Sequence, residues 1–372
     1  MSSKLISTGV QFPDSSIQTT KVVDGGAALD GLGGVTVSTS DPATDSNPSA
    51  TGHQWINKTS GELYVCTDNT TDENVWANVG EGAGGVVYVT PITRGVFGGG
   101  VTDFAMANVM DYITIATTGN ATDFGDLTVA RKHLAACASS TRGVFGGGDA
   151  SHNEIDYITI ATPSNATDFG DLTVGRGDTA ACSDGISGVW GSSTTIDYIT
   201  IATTGNATDF GDLTVARTAL GACANATRGV FASGYSGGYQ NVIDYITIAT
   251  PSNATDFGDI AVARLYPAGC ADATRGIFAG GAASGIGQVD TMDYITIATT
   301  GNATDFGNLT GLRYNASACA DATRGVFGGG YATPAAAKTN VMDYITIQTT
   351  GNATDFGDLT VTRESLAACS GG

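Results

Sequence analysis

The string DYITI occurs six times in this chain of 372 residues, beginning at Asp111, Asp156, Asp197, Asp244, Asp293 and Asp343. The spacings are 45, 41, 47, 49 and 50 residues, so one supersecondary unit is repeated along about three-quarters of the sequence. Each copy has the same order. A short AAC segment leads into TRGVFGGG, then a variable insert, then DYITIATTGN and ATDFGDLTVAR. DYITI alternates and is β-branched, which predicts a strand. TTGN becomes TPSN in two copies, at Pro163 and Pro251, and every one of these residue types favours a tight turn. Ser139, Asp184, Asn225, Asp272 and Asp321 come just after the AAC position, where each can close a turn with its side chain. The unit thus reads as four strands, here called A (AAC), B (GVFGG), C (DYITI) and D (DFGDLT). Nothing in the unit has a helical period, so the chain is expected to be all-β.

The period is that of a propeller blade. The unit also resembles the kelch motif across residues 94–372. It has a hydrophobic strand ending in a Gly pair (Val96, Phe97, Gly98, Gly99), an aromatic on the next strand (Tyr112), and Phe124 where kelch has Trp. A terminal arginine (Arg131) precedes the next inner strand. The third copy departs from this pattern: SGVWGSS (Ser187 to Ser193) lacks both the arginine and the Gly pair. The resemblance implies a six-bladed kelch-like β-propeller. It implies no activity, because the scaffold carries many functions. The first B strand has no AAC before it, whereas the sequence ends in LAACSGG. Leu366 to Ser370 is therefore expected to complete the first blade, with Val86 to Thr90 as the competing donor.

Composition narrows the function. A formal charge of −20 argues against a nucleic-acid surface, which needs a basic stripe. No apolar run approaches a membrane span, and MSSKLISTGVQFPD does not have the form of a signal peptide. Six of the seven cysteines (Cys137, Cys182, Cys223, Cys270, Cys319, Cys369) occupy one site per unit, with no CxxC pair. They read as small buried hydrophobes, in keeping with synthesis in a reducing cytoplasm. All eleven arginines lie on the repeat grid, as do the Asp of DY and the Asp of DF, so Arg–Asp pairs and carbonyl caps are expected. The NAT triplets beginning at Asn120 read as turn residues. Three histidines offer no multi-His metal site, no P-loop, GxSxG or HExxH occurs, and no facing carboxylate pair stands out. Neither cofactor nor metal is expected, and the chain is read as non-enzymatic.

The copies differ in two places. The B-to-C inserts vary in length and the D-to-A triplets KHL, GDT, TAL, LYP, YNA and ESL vary in sequence, while the other turns are nearly constant. Alternate loops of an antiparallel meander share a face, so the variation lies on one face. That face is the candidate binding surface, with Phe104, Lys132, His133, His152, Tyr235, Tyr239, Tyr266, Tyr314, Tyr331 and Lys338.

Upstream, GVQFPDSSIQTTK (Gly9 to Lys21) resembles the N-terminal β-segment of bacteriophage tail-fibre and virion-appendage proteins. GHQWINKTSGELYVCTDNTTDENVWANVGEG (Gly52 to Gly82) resembles a small β-module of phage fibres, with Trp55, Leu63, Val65, Trp76 and Val79 as its expected core. Asp24 to Ala50 reads as a linker. The organisation expected is an attachment segment and linker over 1–50, a small β anchoring module over 51–85, and the propeller over 86–372. These resemblances imply a structural virion protein on the exterior of a tail or capsid. It would be anchored through its N-terminal region to other virion proteins, be homo-oligomeric (fibre-type N-termini are usually trimeric), and be made in the host cytoplasm. A tail-fibre or receptor-binding appendage that contacts a host surface glycan or protein is the leading expectation. A capsid or tail decoration protein and a polysaccharide depolymerase are the alternatives. Neither nucleic acid nor membrane insertion is expected.

Overall fold

The computed structural model describes residues 35–80 except 49, 60 and 61, and residues 93–371 except 150 and 151. It also describes three short strands at Lys4–Ile6, Gly9–Gln11 and Ile17–Gln18. The described residues are all-β, without a helix, and lie in small sheets of three or four mostly antiparallel strands. The chain divides into two compact units, Met1–Thr90 and Pro91–Gly372.

In the second unit each copy of the repeat forms one small sheet. The second copy pairs Ala135–Ala138, Arg142–Gly146, Glu154–Thr159 and Thr167–Asp171 in sequence order, all antiparallel. Its register sets Phe145 opposite Asp156, and the other copies repeat it, with Phe97 opposite Asp111 and Phe231 opposite Asp244. Side chains on the A strands alternate between buried (Ala135, Cys137) and half-buried (Ala136, Ala138), the period of two expected of a strand. In the third copy, B and C fuse into one span, Ser187–Thr200. Extended, 14 residues would reach roughly 46 Å. Yet Ile201 N donates to Ile186 O at 2.8 Å, so the span is a hairpin, turning through Ser193 at φ 57°. The short insert of that copy accounts for it.

Apolar side chains pack between sheets. Val96, Met110, Phe124 and Leu127 of the first copy share a core with Phe145, Ile158 and Ile160 of the second. Equivalent cores occur between every successive pair, and the sixth copy packs likewise on the first, through Val326, Met342 and Phe356 against Phe97 and Ile113. Small residues allow this approach. A β-carbon at Gly229 would lie 2.7 Å from Cys182 Sγ of the preceding copy, and Cys137 and Cys223 face Gly188 and Gly276 in the same way. The six repeat cysteines are therefore buried packing groups, as expected, and burial pushes the Cys182 thiol up to about 12.

Buried ion pairs span the same junctions. Arg131 reaches Asp156 of the next copy at 2.9 Å, with both side chains fully buried. The pattern repeats as Arg217–Asp244 at 3.0 Å, Arg264–Asp293 at 2.9 Å, Arg313–Asp343 at 2.7 Å and Arg363–Asp111 at 2.9 Å, with Arg176 on Asp197. The guanidinium also donates to the phenylalanine carbonyl of strand B, from Arg131 to Phe145 O at 3.2 Å and from Arg363 to Phe97 O at 3.1 Å. A threonine completes the carboxylate shell: Thr128 Oγ1 donates to Asp156 at 2.5 Å and Thr310 Oγ1 to Asp343 at 2.6 Å. The other arginines cap carbonyls and stack on tyrosines, as Arg228 does over Tyr245 at 4.5 Å and toward Ile297 O at 3.1 Å.

Two sequence expectations need correction here. The Asp of DF is exposed in every copy, because it lies on the outer strand with its side chain toward solvent; only the Asp of DY receives an arginine. The Asn of NAT is more than a turn residue. Asn165 Oδ1 accepts from Asp126 N of the preceding copy at 3.1 Å, and Asn120, Asn206, Asn253, Asn302 and Asn352 do the same at the other five junctions. The glycine of DFG lets the turn come this close, since a β-carbon at Gly125 would lie 2.6 Å from the Ser164 backbone.

The first copy takes its A strand from the far end of the chain. Ala367–Gly371 pairs with Arg94–Gly98, setting Cys369 opposite Val96. The competing donor, Val86 to Thr90, lies outside the described residues. Each A strand contacts two others: Ala135–Ala138 contacts Ala367–Gly371 and Ala180–Ser183, and Ser317–Ala320 contacts Ala268–Ala271 and Ala367–Gly371.

In the first unit, Lys4–Ile6, Gly9–Gln11 and Ile17–Gln18 form a three-stranded antiparallel sheet. A second sheet joins Val35–Ser38, Gln54–Asn57, Leu63–Asp68 and Val75–Gly80. Val35–Ser38, expected as linker, instead pairs in parallel with Gln54–Asn57, because its alternating Val-Thr-Val can supply an edge strand. Trp55 and Trp76 pack edge to face at 5.7 Å and both are half-buried, as are Leu63 and Val65. The fully buried apolar residue of this sheet is Cys66. The side chain of Val79 lies outside the described residues.

These junctions lead to two testable outcomes. Deleting residues 366–372 removes buried Leu366, Ala367, Ala368 and Cys369 and exposes the edge of Arg94–Gly98. Thermal unfolding should then fall by about 10 °C or more, and a midpoint within a degree or two of the full chain would contradict the pairing. The fourth copy has Ala261 where the others have the capping threonine. Burial accordingly raises the Asp293 carboxyl above its usual range, Arg264 opposing it only in part. A raised carboxyl contributes stability that is complete below the unfolded value, ~4, and lost as pH rises through the folded value. Ala261→Thr should therefore stabilise the chain by about 1–2 kcal/mol at pH 7. The gain should shrink on acidification toward pH ~4, as read by denaturant unfolding across pH.

Candidate ligand-binding face

The B-to-C inserts hydrogen-bond to the D-to-A segments, which places both loop sets on one face, as the meander predicts. Asp149 N donates to Lys132 O at 3.0 Å, and Val101 N to Glu364 O at 2.9 Å. Tyr235 and Thr218 exchange backbone hydrogen bonds. In the last two copies the contact becomes a strand pair, Arg264–Leu265 with Ala282–Ala283 and Leu312–Tyr314 with Tyr331–Thr333.

The middle residues of the six D-to-A triplets are His133, Asp178, Ala219, Tyr266, Asn315 and Ser365. All six are left-handed, with φ between 53° and 59°. All six line one cavity of about 100 Å³ at the ends of the A strands. Their backbones interlock: Tyr266 N donates to Ala219 O at 2.8 Å, Ala219 N to Asp178 O at 3.0 Å, Ser365 N to Asn315 O at 2.9 Å, and His133 N to Ser365 O at 2.9 Å. Below them Ala136, Ala181, Ala222, Gly269, Ala318 and Ala368 form a neck shared with a second cavity of about 160 Å³. Only small side chains fit there; a β-carbon at Gly269 would collide with the Ala222 backbone.

Left-handed backbone costs a residue with a β-carbon about 1–2 kcal/mol, less for Asp, Asn and His, and glycine avoids that cost. This chain has 53 glycines and uses them for the left-handed pairs that end most B strands, such as Gly99–Gly100 and Gly280–Gly281. None of the six positions around the cavity is glycine. The side chains there are kept despite the backbone conformation, a pattern associated with functional sites.

On one side of the mouth those side chains form a connected group. His133 Nδ1 lies 2.7 Å from Asp178 Oδ1, and Tyr266 Oη donates to the same oxygen at 2.9 Å. Burial pushes the Asp178 carboxyl up, but the hydrogen bonds from His133 and Tyr266 and the Lys132 charge outweigh it, and the net shift is downward. Asp178 is thus a carboxylate at neutral pH. Burial and the adjacent carboxylate raise the Tyr266 phenol far above its usual range, which keeps it a donor. The ring of His133 is 5.8 Å from that of Tyr266, which is 6.1 Å from Tyr314, which is 5.7 Å from Tyr331. Four half-buried rings therefore form a continuous file from the cavity to the rim.

Of the residues expected on this face, the structure brings together His133, Tyr266, Tyr314 and Tyr331, with Lys132 beside them. Lys338 joins from the rim, 3.3 Å from Asp103 and 3.8 Å from Glu364. Tyr235 and Tyr239 pair with each other at 6.1 Å, and His152 pairs with Glu154 at 3.0 Å. Phe104 is 98% exposed at the tip of its insert. Sequence reasoning found no distinguished acids and passed over Asn315. The fold instead sets Asp178 between His133 and Tyr266, and Glu364 against Asn315 Nδ2 at 3.3 Å. Aligning the triplets on their middle letter would have exposed all but Glu364, since none of the six is glycine.

Among the described residues no cluster of three or more His, Cys, Asp or Glu side chains could hold a metal ion. The group offers an apolar ring surface, a fixed carboxylate, an imidazole and amide and hydroxyl groups, an array suited to holding a polar ligand. No family model matches this sequence, and no curated protein matches it.

Proposed function

We propose that the repeat sheets are the six blades of a closed kelch-like β-propeller carried by a bacteriophage virion protein. In this reading the chain is a tail-fibre or receptor-binding appendage. Its variable face recognises a glycan or protein of the host surface, and it performs no catalysis. Closure is supported by the equivalence of the junctions: the last copy meets the first through the same apolar core and the same buried ion pair, Arg363–Asp111, as any other two. The phage assignment rests on the resemblance of Gly9 to Lys21 and Gly52 to Gly82 to fibre and appendage segments, whose role would be attachment to other virion proteins.

The observation that carries the binding role is the glycine-free set of left-handed residues around the cavity. Architecture alone favours glycine at those six positions, yet this glycine-rich chain puts side chains there. The same face bears every insert that varies in length, while the opposite turns are occupied with the Asn contacts between copies.

The test is competition. Purified chain in excess should bind the cells that the particle infects and reduce particle adsorption by more than half. Gly119→Ser with Gly205→Ser, which copies Ser164 and Ser252 of the other blades, should compete as well as the original. If the chain neither binds the cells nor competes, it is a decoration protein of the capsid or tail.

A further inference from the structure

Resting on that receptor-binding reading, we propose that the cavity mouth and the file His133–Tyr266–Tyr314–Tyr331 form one elongated site for an uncharged glycan chain. The terminal sugar lies over the cavity and the following sugars lie along Tyr314 and Tyr331. Three features of the site select this ligand class. Consecutive ring centroids are 5.8, 6.1 and 5.7 Å apart and the ring planes are tilted by 34° to 51°, so the rings form a stepped strip rather than a single slot. A stepped strip of tyrosine faces suits the C–H faces of successive sugar rings, which are amphipathic in the same sense as the phenols.

The polar groups sit where a sugar edge would meet them. Both protein hydrogen bonds to Asp178 fall on Oδ1, so Oδ2 can accept a ligand hydroxyl. With Nδ1 of His133 facing Asp178, Nε2 is left to hydrogen-bond another. Thr179 lines the same cavity, is 8% exposed, and its hydroxyl has no hydrogen-bond partner among the described residues. A buried unpaired hydroxyl is costly unless something in the cavity meets it.

Charge selects between glycans. Asp178 is held ionised against His133 and Tyr266, and burial together with the Glu364 charge raises the Tyr314 phenol, so two carboxylates lie beside the strip. Of the two ammonium groups nearby, Lys338 is already engaged by Asp103 and Glu364, and the Lys132 charge is set against Asp178. The chain as a whole carries −20. Uronate or sialate chains would meet like charge, whereas neutral hexose or N-acetylhexosamine chains would not.

The experiment uses the full chain and the cells that the particle infects. Binding is measured on untreated, protease-treated and periodate-treated cells, then in competition with neutral polysaccharides (dextran, mannan) and acidic ones (alginate, polygalacturonate). Binding should survive protease and be lost after periodate, which cleaves vicinal diols, and a neutral polysaccharide should compete better than either acidic one. Tyr314→Ala should weaken binding about tenfold, the loss of one aromatic anchor, while Tyr314→Phe retains it. Asp178→Asn should weaken it too, with unfolding curves showing that the variants fold. Gly119→Ser with Gly205→Ser, in the constant turns of the opposite face, should leave it unchanged. Binding that resists periodate, that is competed best by an acidic polysaccharide, or that ignores Tyr314→Ala overturns the site while leaving the receptor-binding reading intact. Absence of any binding to the cells overturns that reading and the site with it.

Discussion

Each pair of neighbouring repeat sheets is joined by a buried arginine–aspartate pair, and the rest of the second unit is arranged around that constraint. A guanidinium and a carboxylate withdrawn from water are tolerable only together, and removing one partner typically costs about 3–5 kcal/mol. Here the arginines are satisfied in part, Nε of Arg131, Arg217, Arg264, Arg313 and Arg363 being buried without a hydrogen-bond partner among the described residues. The arginine sits at the start of the segment that enters each sheet, and it reaches both the phenylalanine carbonyl of strand B and the aspartate opposite it on strand C. One side chain therefore fixes the new sheet against the old one and pins the two roots of the B-to-C insert. Because the roots are pinned, the insert between them can take any length. In the third copy it shrinks to a tight hairpin, and in the fifth and sixth it grows into small added sheets.

The opposite face has no such freedom. Its turns are held on the outer strand of the preceding copy by an asparagine side chain and by backbone hydrogen bonds, with a glycine making room for the approach. A longer or bulkier turn there would break a junction between copies. Constancy on one face and variation on the other thus have one physical origin: the constant turns are contacts, and the variable loops are attached to contacts. Ala261 illustrates the loss of one member of a junction. The aspartate keeps its arginine but loses the threonine, and its carboxyl rises.

The architecture was largely legible because six copies served as their own comparison. The repeat set the strand order, the cysteine sites marked the inner strands, and the missing first AAC pointed to Leu366 to Ser370, where Ala367–Gly371 pairs with Arg94–Gly98. The strand at Val35–Ser38 was not legible, because its Gly- and Ser-rich flanks match those of a linker and only its pairing with Gln54–Asn57 distinguishes it. The inter-copy role of Asn120 and its equivalents was also hidden, because a turn asparagine has the same sequence signature whether its side chain closes its own turn or a neighbour's.

The sequence by itself determined the all-β class, the four-strand unit, the arginine grid and the face on which variation lies, since each depends on local period or on equivalence between copies. The tertiary structure decided which variable residues meet. His133, Asp178, Tyr266 and Tyr314 come from four different D-to-A segments, and Tyr331 from an insert. No spacing rule places them together, because their proximity depends on how the inner strands of distant copies approach one another. The left-handed backbone of those positions was equally invisible, because it is held by hydrogen bonds from neighbouring segments, such as Tyr266 N to Ala219 O, and Ala219, Tyr266 and Ser365 have no local preference for it.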